Sequence, residues 1–467
     1  MTQAEIGPAP PAAPGLKGRV LRAGKWTLGA ALVTMILRLA TNIVLARLLF
    51  PDVFGLMSVV NMLLTALMLF SDIGVTRAVV QTRRGDDPAL LDTAWTVQVI
   101  RGLGLAAACL LAAAGVALGA HLHMFRAGTA YADSRLPLLI VVFAVTPVIQ
   151  GLSAITVSLS RRTMSMHLLS KIELSGQLAS AVAMIVVASV TPTVWTLMVG
   201  AIVATVVRVG LGYRLLPGYR AKLRIDREAL DEILDNGKWI FLSSIIFFLA
   251  SNTDRVLLGG LISSREFGLY SIALLMANVL QGLATKMCIS IVYPALAEVH
   301  RERPGDLGKT IAKFQWAYDG LVSLLSALLI TAGPALIAVL YDHRYRDAGW
   351  MLSILAVGTI GVRYQVVEEC YQVFNRAQYA TLANFVRLLA LIGGVFLGDR
   401  LAGLKGVIVA VALCQYAAWP IAIWFKLRYK AFAWRAEALL VPAVLGGMAA
   451  GWLLSLLIHW ALPHRFA

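Results

Sequence analysis

With 467 residues, 59% of them apolar and only 14% charged, and a mean hydropathy of +0.78, the chain is far too apolar for a water-soluble domain and has the composition of a polytopic membrane protein. A formal charge of +16 would suit nucleic acid, but Lys and Arg gathered on one side of a membrane already follow from orientation and anionic headgroups, so nucleic acid is excluded as a partner. Cys109, Cys288, Cys370 and Cys414 all fall in apolar runs without metal-ligand spacing, which predicts core thiols and neither a metal nor a cofactor.

In chain order, residues 1–23 hold Pro8, Pro10, Pro11 and Pro14 among alanines and glycines and read as a disordered cytoplasmic tail, not a signal peptide. A membrane-crossing helix needs about 20 apolar residues. That criterion predicts spans near 26–49, 54–80, 94–118, 136–160, 168–190, 193–213, 239–261, 267–297, 314–340, 349–375, 380–398, 404–425 and 437–460. Residues 214–238 form an amphipathic cytoplasmic linker, and 426–467 a basic loop with one additional span. Pro147 and Gly151, Pro334 and Pro420 interrupt later spans and permit kinks.

Sliding the chain by 213 residues lays Gly24-Lys25-Trp26 on Gly237-Lys238-Trp239 and Phe54-Gly55-Leu56 on Phe267-Gly268-Leu269 without a gap. Ser58 falls on Ser271, and Leu45 and Leu48 fall on Leu258 and Leu261. This is the mark of a duplication, each copy an interfacial Trp, one span, a turn and a Phe-Gly-Leu that opens the next. It divides the chain into six-helix halves at 24–213 and 239–425, related by an axis along the membrane normal because both begin on the same face.

With the N-terminus inside, 23 Lys and Arg of loops and tails lie on the cytoplasmic side and 8 outside, a bias that supports both the topology and the span count. Ten further cations lie within spans. Arg77, Lys171, Arg208, Lys286 and Arg387 stand near cytoplasmic ends and Arg47 near an outer end, where they can snorkel to headgroups. Arg38 lies twelve residues beyond Trp26, about 18 Å deep, where snorkelling fails. Arg101, Arg363 and the Asp254-Arg255 pair are also deep, and Asp319, Glu368 and Glu369 are the matching anions. Such groups are kept when they face a bundle interior or a wet cavity. Either they form buried ion pairs, or Arg38, Arg101, Arg255 and Arg363 make a cationic cavity for an anionic ligand, with Asp254 orienting Arg255 and Asp254, Asp319, Glu368 and Glu369 serving as ion-pair or coupling groups.

No Walker A loop is present, and no Ser/His/Asp, paired-His or Asp-rich constellation stands in a loop. His121 and His123 lack an acidic or Cys partner nearby, so no catalytic residue is assigned.

The stretches LARLLFPDVFGLMSVV (45–60), FSDIGVTRAVVQ (70–81), GKWIFLSSIIFFLASNTDRVLLGGL (237–261) and FGLYSIA (267–273) resemble the polysaccharide transporter family, the Wzx-type flippases of the multidrug/oligosaccharidyl-lipid/polysaccharide superfamily. The resemblance implies an all-α protein of two six-helix bundles around a V-shaped central cavity. It also implies a bacterial inner-membrane location and transfer of undecaprenyl-pyrophosphate-linked oligosaccharide, beside polymerase and export components of a polysaccharide pathway. Arg suits a diphosphate because it offers several donors. Thirteen spans depart from the twelve or fourteen usual in that family, and no coupling-ion motif carries over. The alternatives are a multidrug antiporter or lipid II flippase on the same fold and, from another class, a membrane glycan polymerase. An antiporter of cationic drugs calls for an acidic cavity and a polymerase for a large outward loop; neither is expected here.

Overall fold

This computed structural model describes residues 16–463 apart from 72–74, 77–78, 80–81, 83, 163–165, 217, 375, 377 and 430; for 16–28, 31, 234–243, 246, 250, 290 and 304 it describes backbone alone. Asp72, Gly74, Arg77 and Arg83, and the interfacial side chains of Trp26 and Trp239, lie outside the described part. Among the described residues every regular element is a helix, and the single β feature is a bridge between Thr129 and Ser263.

The first half comprises α1 (Leu16–Leu48), α2 (Pro51–Phe70), α3 (Pro88–His121), a broken α4 (136–162), α5 (Met166–Val190) and α6 (Trp195–Leu215). The second comprises α7 (Arg227–Leu261), α8 (264–302, passing through a π-turn at Cys288–Val292), α9 (Leu307–Leu340), α10 (348–373), α11 (378–401) and α12 (404–428). A thirteenth helix, α13 (434–461), packs along α9. Among the described residues, nine helices are long and apolar enough to cross a bilayer if α11 and α12 are taken as one, or ten if the two parts of α4, bent by 59°, are one span. Between α11 and α12, however, Ala402 and Gly403 are non-helical and Gly403 has φ of 55°. A Cβ at Gly398 would stand 2.4 Å from the Gly406 carbonyl oxygen, so α12 doubles back on α11. With that pair divided and α1 and α7 added, each of the thirteen expected spans corresponds to a helix.

Helix ends follow local chemistry more than the apolar pattern. Asp87 caps α3, accepting from Ala89 N at 3.1 Å with Pro88 in the first turn, and Asp226 caps α7 through Ala229 N at 3.0 Å. Ser263 and Glu266 form a capping box on α8. Two boundaries therefore move. The helix begins at Leu16, so residues 16–23 are helical and not part of the tail, and the amphipathic stretch of the linker is the opening of α7 itself, continuous to Leu261.

The two copies of the repeat meet face to face. Ser58 and Ser271 share a hydrogen bond at 2.7 Å, and a Cβ at Gly268 would lie 1.8 Å from the Pro51 carbonyl oxygen while one at Gly55 would lie 2.3 Å from that of Ser264. Only glycine lets α2 and α8 cross so closely. The Ser58–Ser271 contact thus joins a residue to its own counterpart under the 213-residue shift. We call the side where α1 begins the near face and the side where it ends the far face. The halves converge at the far face and part toward the near face.

Candidate substrate cavity

Where the halves part, a cavity of about 800 Å³ runs from Ala30 and Lys286, toward the near-face ends of α1 and α8, to Leu39 and Leu275 at mid-depth. A second space of about 400 Å³ continues past Arg38, lined by Asn42, Asn61 and Gln177, and ends at the Ser58–Ser271 contact. The charged residues of the larger cavity are Arg38, Arg161, Lys286 and Glu173. Glu173 pairs with Arg208 at 2.9 Å, whereas the other three have no ion pair or hydrogen bond from their side chains among the described residues. The cavity is therefore cationic, and its walls are largely apolar. An unpaired guanidinium at mid-span is kept only where water or an anion can reach it.

The four expected cavity cations separate. Arg38 lines both spaces. Arg255 of α7 is not part of either lining, and it donates to Asn252 Oδ1 at 3.2 Å. No ion pair joins Arg255 to Asp254 among the described residues. The Asp254 carboxylate instead accepts from the Tyr270 hydroxyl, so the orienting role expected of it is corrected. Neighbours in sequence on a helix point about 100° apart, and that rotation sends the two charges to different partners.

Arg101 lines a separate pocket of about 210 Å³ that shares Thr76 and Arg161 with the main cavity. Its guanidinium donates to Met68 O at 2.7 Å and Ser71 Oγ at 2.9 Å, satisfying carbonyl and hydroxyl groups where α2 ends.

Arg363 is corrected outright. It sits on a 3-10 turn, Gly361–Tyr364, within α10 and is 2% exposed. It pairs with Asp319 at 2.8 Å and with Glu437 of α13 at 3.0 Å. Gln315 donates to Asp319 at 3.0 Å, Tyr364 donates to Glu437 at 2.8 Å, and Lys426, wholly buried, joins Glu437 and donates to Gln315 at 2.6 Å. Two cations and two anions thus close a neutral network inside the second half that fastens α13 to it. Glu437 and Lys426 were not legible as partners, since Lys426 counts as a loop cation in the sequence. Glu368 pairs with Arg387, expected to be an interfacial anchor, and Glu369 is buried with Gln365 Nε2 3.3 Å away.

Lys286, expected to snorkel, and Arg161, counted among the cytoplasmic loop cations, both line the cavity instead. The halves part toward the near face, so the helix face a residue occupies decides whether it meets lipid or cavity.

Residues 44–349 match the polysaccharide biosynthesis protein family. The chain belongs to this family. It is 23% identical over 411 residues, 86% of this chain and 79% of the relative, to the lipopolysaccharide biosynthesis protein WzxC of Escherichia coli strain K12. Its fold is similar to that of the lipid II flippase MurJ in an inward closed conformation, with a TM-score of 0.69 at 12% identity over 94% of this chain and 99% of the other. It is also similar to an inward-facing multidrug resistance MATE transporter of the MOP superfamily, with a TM-score of 0.62 at 16% identity over 85% and 95%. A family member with this fold and this run of long apolar helices is a multi-pass membrane protein.

Proposed function

We propose that this family member is a flippase for an anionic lipid-linked oligosaccharide of undecaprenyl-pyrophosphate type, moving it across the bacterial inner membrane for exopolysaccharide, capsule or O-antigen synthesis. The observation that carries this is Arg38, unpaired at mid-depth on a cavity whose other free charges are Arg161 and Lys286. A diphosphate is a strong multivalent acceptor, and a guanidinium presents up to five donors to it. In this proposal the halves 24–213 and 239–425 move as units about the cavity, the N-terminus is cytoplasmic, and the apolar lining leaves room for a lipid stem. Membership of a polysaccharide biosynthesis family and likeness to WzxC support the substrate class; likeness to MurJ supports the flippase architecture.

The antiporter alternative shares the fold, but cationic drugs call for free carboxylates, and the one carboxylate lining the larger cavity is held by Arg208. Arg38→Ala is expected to stay at parental abundance in the membrane and lose export of surface polysaccharide, with Arg38→Lys retaining part because charge persists without the planar donor fork. Normal export by an abundant Arg38→Ala protein overturns the cationic-cavity mechanism.

A further inference from the structure

At the far face each half reaches across and grips the first helix of the other. In the first half the grip is residues 126–131, ending in a 3-10 turn at Ala130–Ala132. Tyr131 donates its hydroxyl to Val256 O at 2.9 Å, its ring lies against Gly259 and Gly260, and Gly128 O accepts from Ser264 N at 3.0 Å. In the second half it is the 3-10 turn His343–Tyr345. Tyr345 donates to Leu49 O at 3.0 Å, and Arg344 donates to Arg47 O at 2.9 Å while lying over the Phe50 ring at 4.6 Å. The two turns stand 213 residues apart, the same shift that superposes the repeats. The Arg47 and Leu49 carbonyls lie at the end of α1, where helices lack internal donors, so water at the membrane surface can replace the grip when it lets go.

The near face is tied differently. Lys222 N donates to Asp92 Oδ1 at 2.8 Å and Asp226 N to Thr93 Oγ1 at 2.9 Å, which straps the linker onto α3, and Ala229 and Ile233 of α7 are buried among Leu90, Leu91 and Ala94. That side is covalently continuous and stays joined in any rocking of the halves. Among the described residues the far face is joined without a covalent link, by the two grips, the α2–α8 crossing and the packing of α2 on α7.

We infer that the loops at 126–131 and 343–345 are a matched pair of latches, and that the cavity opens to the far face only when both release and the Ser58–Ser271 contact parts. Asn61 lines the inner space beside that contact, so Asn61→Cys reports the opening. All four native cysteines are buried, which keeps the background low. The full chain, in membrane vesicles of each orientation, is treated with a membrane-impermeant maleimide. Labelling of Asn61→Cys from the far side is expected to rise severalfold when Tyr131→Phe and Tyr345→Phe are combined, and by less with either alone. Introducing Ser58→Cys with Ser271→Cys and oxidising them is expected to stop far-side labelling until the disulfide is reduced; the hydroxyls already at 2.7 Å place the two Cβ atoms within reach of such a bond. Unchanged labelling in the properly inserted double Tyr→Phe protein overturns the latch assignment, as does far-side labelling that continues through the cross-link. Labelling needs no substrate, so its outcome is separate from that of the transport proposal.

Discussion

Replacing Arg363 by Ala separates a residue of the fold from one that meets substrate. The guanidinium is 2% exposed, and its partner Asp319 is fully buried with Oδ1 already lacking any hydrogen bond. It supplies two hydrogen bonds to Asp319 Oδ2, at 2.8 and 3.1 Å, and the ion pair to Glu437 at 3.0 Å. Its loss turns a neutral set of four charges into one with a net negative charge, in which Asp319 is fully buried. Breaking a buried pair from one side costs roughly 3–5 kcal/mol, a factor of about 10² to several times 10³ in the folding equilibrium. Against total stabilities of order 5–15 kcal/mol, Arg363→Ala should deplete the protein from the membrane and lower its unfolding temperature in detergent. Removing both charges, as Arg363→Met with Asp319→Leu, leaves the Lys426–Glu437 pair intact and should recover most of the loss, a coupling that a double-mutant cycle measures directly. An Arg363→Ala protein that is abundant and as heat-resistant as the parent, yet inactive in export, refutes this account and returns Arg363 to the substrate.

Gly268→Ala should lower the unfolding temperature and speed far-side labelling, because its Cβ would meet backbone at 1.8 Å, while Gly446→Ala, with nothing within 4 Å, should be neutral or mildly stabilising; equal behaviour of the two refutes close packing at the crossing. At Asp342, in the loop before Arg344, burial disfavours the charge, but hydrogen bonds from Arg344 and from the backbone and ring of His343 outweigh it and hold the carboxyl below its usual range. A depressed carboxylate stabilises above its unfolded value near 3.9 and loses that contribution as pH falls through the folded value. The unfolding-temperature difference between the parent and Asp342→Asn should therefore be present at pH 6 and vanish in acid. The Tyr131 hydroxyl, pushed up to about 12 by burial, remains a donor throughout.

What the sequence by itself determined was the membrane class, the order of thirteen helices and the family, because each is written in local composition and motifs. It also singled out Arg38, whose distance along α1 puts it too deep to reach headgroups. Only the tertiary structure decided which of the other charges share its cavity. Depth is a one-dimensional property that hydropathy reports, whereas the choice between cavity, lipid and a partner on another helix depends on rotation about the helix axis and on how the halves diverge. Arg363 and Arg101 both read as deep cations in the sequence, yet one closes a buried network with a residue 74 positions away and the other caps the end of α2. Arg161 and Lys286 lie near the surface and still line the cavity, because the halves part on that side.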